Sequence, residues 1–293
     1  VLALLLSAFQ AAPEGKPDAD APDGAIVVTA SRGDLVEAYI DALTRTRSDR
    51  QIARWNGHVC PRAIGLDAAH NAYLASRVAE IARAAGVPVE RGACMPNILI
   101  VMTGEADRFV AMLLDKHPLL FGGEGGRPPA AVAQALRGQR PVRWVHAGAW
   151  GNADGRPLDG RNNFIFSASR LQASTRRNAM LSILVVDATR LQHITWRAFS
   201  AYLGMVAVAL PPPDLEAPEG NTILSLFEPG DAARATDLTR WDRAYLKSLY
   251  GSGAAGPAAV ERRAMAQSVH RALGLPAAAS AKKKAAPAGA ASN

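Results

Sequence analysis

The stretch from Ser182 to Leu210, SILVVDATRLQHITWRAFSAYLGMVAVAL, constrains this chain more than any other. Ile183 to Val186 is short, apolar and rich in β-branched residues, so it reads as a buried strand that stops at Asp187. A helix follows. Thr195 is the expected N-cap, with Thr189 as the alternative for a longer helix. Phe199, Tyr202, Leu203, Val206 and Leu210 recur at helical spacing, and Pro211, Pro212 and Pro213 stop the helix because proline has no N–H to donate. A buried strand running into a buried helix calls for an α/β architecture with layers on the sheet.

The rest of the chain repeats that grammar. Asp34 to Leu43 is an expected helix with Leu35, Tyr39 and Leu43 on one face. Val59 to Ile64 reads as a strand, and Pro61 within it implies an edge or a strand start. Asp67 to Ala85 carries the clearest helical pattern: Asp67 caps it, Leu74, Val78 and Ile81 form its stripe, and Gly86 ends it. Asn97 to Thr103 is a second buried strand, so this β-α-β unit predicts a parallel pair. Further helices are expected at Ala106–Lys116, Ala130–Arg137, Leu238–Tyr250 and Pro257–Leu273. Strands are expected at Pro141–His146 and Asn163–Ser169, with a glycine-rich surface loop at Gly148–Arg161 between them. The expected fold class is therefore mixed α/β, a single domain with a central mixed sheet flanked by helices.

The ends differ from this middle. VLALLLSAF is too short to span a bilayer and resembles the apolar region of a secretory signal peptide, although no basic segment precedes it. Residues 1–12 are read as a signal-peptide remnant, 13–24 as a linker rich in Pro, Asp and Ala, and 25–275 as the globular domain. Residues 276–293 are rich in Ala and Lys without periodicity and are expected to be disordered. The formal net charge is +7, but arginine is spread along the chain and only Lys282, Lys283 and Lys284 form a basic run. That distribution argues against nucleic acid and leaves an anionic surface or an envelope protein as the partner to consider. Export to the periplasm or the medium would put Cys60 and Cys94 where thiols oxidise, and the expected β-α-β unit would place them at one end of neighbouring strands. A disulfide there closes a loop of roughly 35 residues and stabilises by about 3–4 kcal/mol. The alternative is two buried free thiols.

The order of elements has the plan of zincin-type metallopeptidases: strand, long helix, further strands, a strand at the core, then a helix. The C-terminal half resembles the exported bacterial family called domain of unknown function 2927, itself similar to zincins. The resemblance rests on Leu203-Gly204 in the helix, on Ser225-Leu226-Phe227, on Trp241-Asp242-Arg243 and Leu249-Tyr250, and on the early Arg54-Trp55. It implies a zincin-like fold over about Leu35 to Tyr250. It also implies glutamate and glutamine on the helix before Leu-Gly, and there this chain departs from the family.

The corresponding turns hold Arg197, Ala198, Ser200 and Ala201. Alanine neither binds a metal nor moves a proton, and no H-E-x-x-H pair of histidines stands on the helix. Ser169, His146 and Asp187 make a triad only on paper, because no G-x-S-x-G surrounds the serine. No catalytic residue, metal ligand or cofactor is assigned. The candidate binding residues are Arg170, Asp187, His193 and Arg197, which flank the central strand and begin the helix. The expectation is an exported, non-catalytic binding or structural protein, with a hydrolase of unrecognised site as the alternative.

Overall fold

The computed structural model describes residues 32–45, 51–121, 128–152, 175–229, 234–251 and 256–275. The signal-like run, the linker, the strand expected at Asn163–Ser169, Arg170 and the Ala/Lys tail lie outside them. In chain order the described elements are α1 (Arg32–Thr44), β1 (Pro61–Ile64), α2 (Ala68–Ala85), β2 (Ile98–Thr103), α3 (Ala106–Lys116), α4 (Ala130–Arg137), β3 (Val142–Asn152), β4 (Thr175–Asp187), α5 (Trp196–Ala209), α6 (Arg240–Gly251) and α7 (Ala258–Leu273).

Four strands form one mixed sheet in the order β1-β2-β4-β3. β1, β2 and β4 are parallel, with Pro61 opposite Ile98 and Ile98 opposite Ser182. β3 runs antiparallel to β4, Val142 facing Val186. β1 begins at Pro61 and lies at the sheet edge, so the missing N–H of that proline costs no central ladder bond.

Alternation along the strands divides the core in two. Ile98, Ile100, Met102, Leu184 and Val186 face a large apolar layer built with α1, α2, α5, α6 and α7. Leu99, Ile183, Val185 and Val145 face a smaller one that includes Val110 and Leu113 of α3 and Leu136 of α4. Helices thus cover both faces of the sheet, as parallel strands buried on both sides require.

Helix ends follow local chemistry. The Asp67 side chain accepts the His70 N–H, and Gly86 ends α2 in the left-handed region at φ 95°. Thr195 Oγ1 accepts the Ala198 N–H, which makes Thr195 the cap of α5. Thr189 caps nothing longer; it belongs to a single 3₁₀ turn at Ala188–Arg190 held by Asp187. Every residue from Ala198 to Ala209 is buried, so α5 is apolar on all sides and survives only inside the molecule.

Two expectations need correcting. The buried face of α1 is Val36, Tyr39, Ile40 and Leu43; Leu35 is only partly covered. Both hairpin strands are longer than the pattern implied. Gly148 to Asn152 continue β3 instead of opening a surface loop, and the polar Thr175 to Asn178 begin β4. Their partners are each other, Asn152 facing Thr175, so main-chain pairing rather than apolar alternation sustains them.

Candidate functional site

The entrance to α5 is where the sequence placed its candidates, and it is packed rather than hollow. Ala198 and Ala201 are 4% and 0% exposed. Ser200, also buried, donates its hydroxyl to the Arg197 carbonyl at 3.0 Å. Gly204 lies where a Cβ would meet Ile81 Cδ1 of α2 at 2.3 Å, so the absent side chain is what lets α2 and α5 approach.

Arg197 points outward and is engaged. Its guanidinium donates to Asp237 Oδ2 at 2.9 and 2.8 Å, while Arg77 of α2 reaches Asp237 Oδ1 at 3.2 Å. Partial burial works against the Asp237 charge, but the Leu238 N–H and the two arginines outweigh it and hold the carboxyl below its ordinary range. Asp187 is likewise occupied. It accepts from the Thr189 N–H at 3.1 Å, from Thr189 Oγ1 at 2.6 Å and from Arg190 Nε at 3.0 Å. Desolvation opposes its charge, and those donors still keep its pKa lowered.

His193 is exposed in the turn before α5, in the left-handed region at φ 57°, and makes no hydrogen bond or ion pair among the described residues. No bond joins Asp187, His193 and Arg197 to one another, so the structure does not assemble them into a site. The paper triad dissolves as well: Ser169 lies outside the described residues, Asp187 is committed to Thr189 and Arg190, and His146 pairs with Ser182. Among the described residues no three His, Cys, Asp or Glu side chains converge as a metal would need.

Cys60 and Cys94 form a disulfide with Cα atoms 6.2 Å apart. It ties the start of β1 to the turn before β2. The same end is clamped by Asn97, whose Oδ1 accepts the Cys60 N–H at 2.7 Å and whose Nδ2 donates to the His58 carbonyl at 2.9 Å.

The polar geometry that the sequence did not reveal lies at the β3–β4 hairpin. His146 and Ser182 face each other in register, Nδ1 to Oγ 3.0 Å. One residue further the ladder is irregular: Ala147 faces Leu181, but Gly148 faces Ala179. A cleft of about 440 Å³ opens there, between the hairpin, the start of α4 and the segment after α5. Desolvation lowers the pKa of His146 to about 3, so its ring is neutral at pH 7. The residue keeps some exposure, yet its Nε2 is shielded from solvent and has no partner.

Compared with known proteins, the chain matches no family model, no curated protein and no solved structure.

Proposed function

We propose that this protein is an exported, non-catalytic relative of zincin-like proteins that acts in the cell envelope by binding or by scaffolding, with α5 as the packed remnant of a catalytic helix. The observation that carries the reading is the burial of Ala198 and Ala201 against the core at the turns where the resembling family keeps glutamate and glutamine. A catalytic carboxylate must reach a substrate or a metal-bound water, and these positions face packed apolar side chains instead. The order β1, α2, β2, β3, β4, α5 supports the zincin comparison. The Cys60–Cys94 disulfide suits an oxidising compartment, and no helix among the described residues is long and apolar enough to cross a membrane.

Zinc analysis of the purified, dialysed chain together with a general peptidase assay tests the proposal. The expected result is substoichiometric zinc and no hydrolysis. One zinc retained per chain, with peptide cleavage that a chelator abolishes, would replace the pseudoenzyme by a hydrolase.

A further inference from the structure

The cleft at the β3–β4 hairpin has the composition of a ligand site, and its occupant can be deduced from its walls. One wall is Leu210, Pro211, Pro212 and Pro213. Three consecutive prolines carry no N–H, so this wall offers no main-chain donor and little conformational freedom. It is also anchored, because Trp144 Nε1 donates to the Pro211 carbonyl at 3.0 Å. Phe121 and Val145 add apolar surface opposite. A cleft of this volume, largely apolar with a few convergent polar groups, is the usual form of a small-molecule site.

The polar groups set the sign of the ligand. Arg45 is already matched by Asp214 at 3.3 Å on the rim. Arg177 is not matched: its guanidinium has no acidic partner among the described residues. It is nevertheless held in place. The guanidinium carbon sits 5.4 Å from the Trp150 ring centroid, within cation–π range. Its main chain is fixed on both sides, the N–H donating to Gln51 Oε1 at 3.0 Å and the carbonyl accepting the Arg54 N–H at 3.3 Å. Gly148 leaves the space across which the arginine lies; a Cβ there would stand 3.7 Å from Arg177 Nε and 2.8 Å from the Asn178 carbonyl oxygen. His146 also lines the cleft, its ring pinned by Ser182 and uncharged at pH 7, so it adds no charge. Among the described residues the cleft therefore carries one positive charge in excess, fixed beside an apolar trough.

The geometry points to a binding site for a small amphipathic monocarboxylate, its apolar body against Pro211–Pro213, Phe121 and Val145 and its carboxylate on Arg177. Arginine presents a planar fork that suits a carboxylate, and burial of the apolar body supplies the remaining affinity. The site borders only the C-terminal end of α5 and includes neither Ala198 nor Ala201, so it neither needs nor excludes the packed-helix reading.

Isothermal titration with decanoate below its micellar concentration tests it, with decanol as the uncharged analogue and decyltrimethylammonium as the cationic one. The intact chain should bind decanoate at least tenfold more tightly than either analogue. Arg177→Gln should remove that preference and leave decanoate and decanol alike, while Arg177→Lys should retain part of it. Ala131→Trp, at an exposed position on the cleft rim, should weaken all three ligands by obstruction while leaving the melting temperature unchanged. Saturation of decanoate and decanol at equal affinity in the intact chain would overturn the assignment of charge. Absence of decanoate binding at millimolar concentration, in a chain whose melt is normal, would overturn the site itself. Zinc content and peptidase activity are separate readouts, so failure here leaves the reading of α5 where it stood.

Discussion

Gly204 shows how a single absent side chain governs the packing of two helices. In an open helix, Gly→Ala gains about 1 kcal/mol. Here the added methyl would lie 2.3 Å from Ile81 Cδ1, and Ile81 is itself buried. Overpacking of this kind costs about 1–3 kcal/mol, so Gly204→Ala should destabilise despite its better propensity, and Gly204→Val should be worse. Because the clash is with the tip of Ile81, the pair Ile81→Val with Gly204→Ala should recover much of the loss. Thermal or urea melts of the singles and the double would show it, and strict additivity would contradict the contact. Leu203→Ala, fully buried, should cost about 2–5 kcal/mol, whereas His193→Ala, exposed and unbonded, should cost little. His146 adds a pH dependence. Its folded pKa, near 3, lies below the unfolded value of 6.5, so between those limits the unfolded chain binds more protons. The contribution of His146 to stability is complete above pH 6.5 and is lost as pH falls toward 3. Urea midpoints measured from pH 7.5 to 4.5 should fall with acid, and His146→Gln should flatten the decline between pH 6.5 and 5, above the range where carboxylates titrate.

Among the elements, α6 is tied to its neighbours through one buried side chain, Asp242. Thr239 and Asp242 form a reciprocal capping box: the Asp242 N–H donates to Thr239 Oγ1 at 3.2 Å and the Thr239 N–H to Asp242 Oδ2 at 2.8 Å. The same carboxylate accepts the Ile223 N–H at 2.9 Å, Thr222 Oγ1 at 2.7 Å and Tyr39 Oη at 2.9 Å, joining α1, α6 and the loop before α6. Burial pushes the Tyr39 phenol pKa well up, with the neighbouring Asp242 charge adding to it, so Tyr39 remains a donor. Asp242→Ala strands these donors, each at about 1–3 kcal/mol, and should cost at least about 3 kcal/mol. Tyr39→Phe should cost less. A double-mutant cycle that found no coupling between them would contradict the bond. Trp241-Asp242-Arg243 drew notice in the sequence only through the family resemblance, which did not say that its aspartate serves the main chain. Elements bounded by their own punctuation were read well: α2 between Asp67 and Gly86, α3 at its full length, α5 between Thr195 and Pro211. The outer half of the hairpin was not. Thr175 to Asn178 is polar and Gly148 to Asn152 is turn-like, and each is a strand only because the other is beside it. The cleft was illegible for a related reason, since Arg177, His146 and Pro211–Pro213 come from segments that only the fold brings together.

At the scale of the molecule, the Cys60–Cys94 bond reinforces the parallel β1–β2 edge of the sheet, whereas the cleft lies at the β3–β4 edge. Denatured, unreduced protein should show no free thiols. Reduction should lower stability by about 3–4 kcal/mol while leaving decanoate binding nearly unchanged. Two free thiols in the native preparation would contradict the pairing. The larger closure is not covalent. Tyr39 bonds Asp242 across 203 positions, Arg54 pairs with Glu261 across 207, at 2.6 Å in the buried interior, and Arg262 Nε reaches Thr44 Oγ1 across 218. In a chain made or threaded through a membrane from its N-terminus, α1 emerges early and then waits for partners that arrive last. Until α6 and α7 appear, Tyr39 lacks Asp242, Arg54 lacks Glu261, and the apolar α5 lacks part of its cover. The native contact set of α1 is therefore complete only once the last two helices have been made. A chain ended at residue 238 should be cleaved rapidly by protease even though it contains the whole sheet, and resistance would show that the sheet stands without its closing helices.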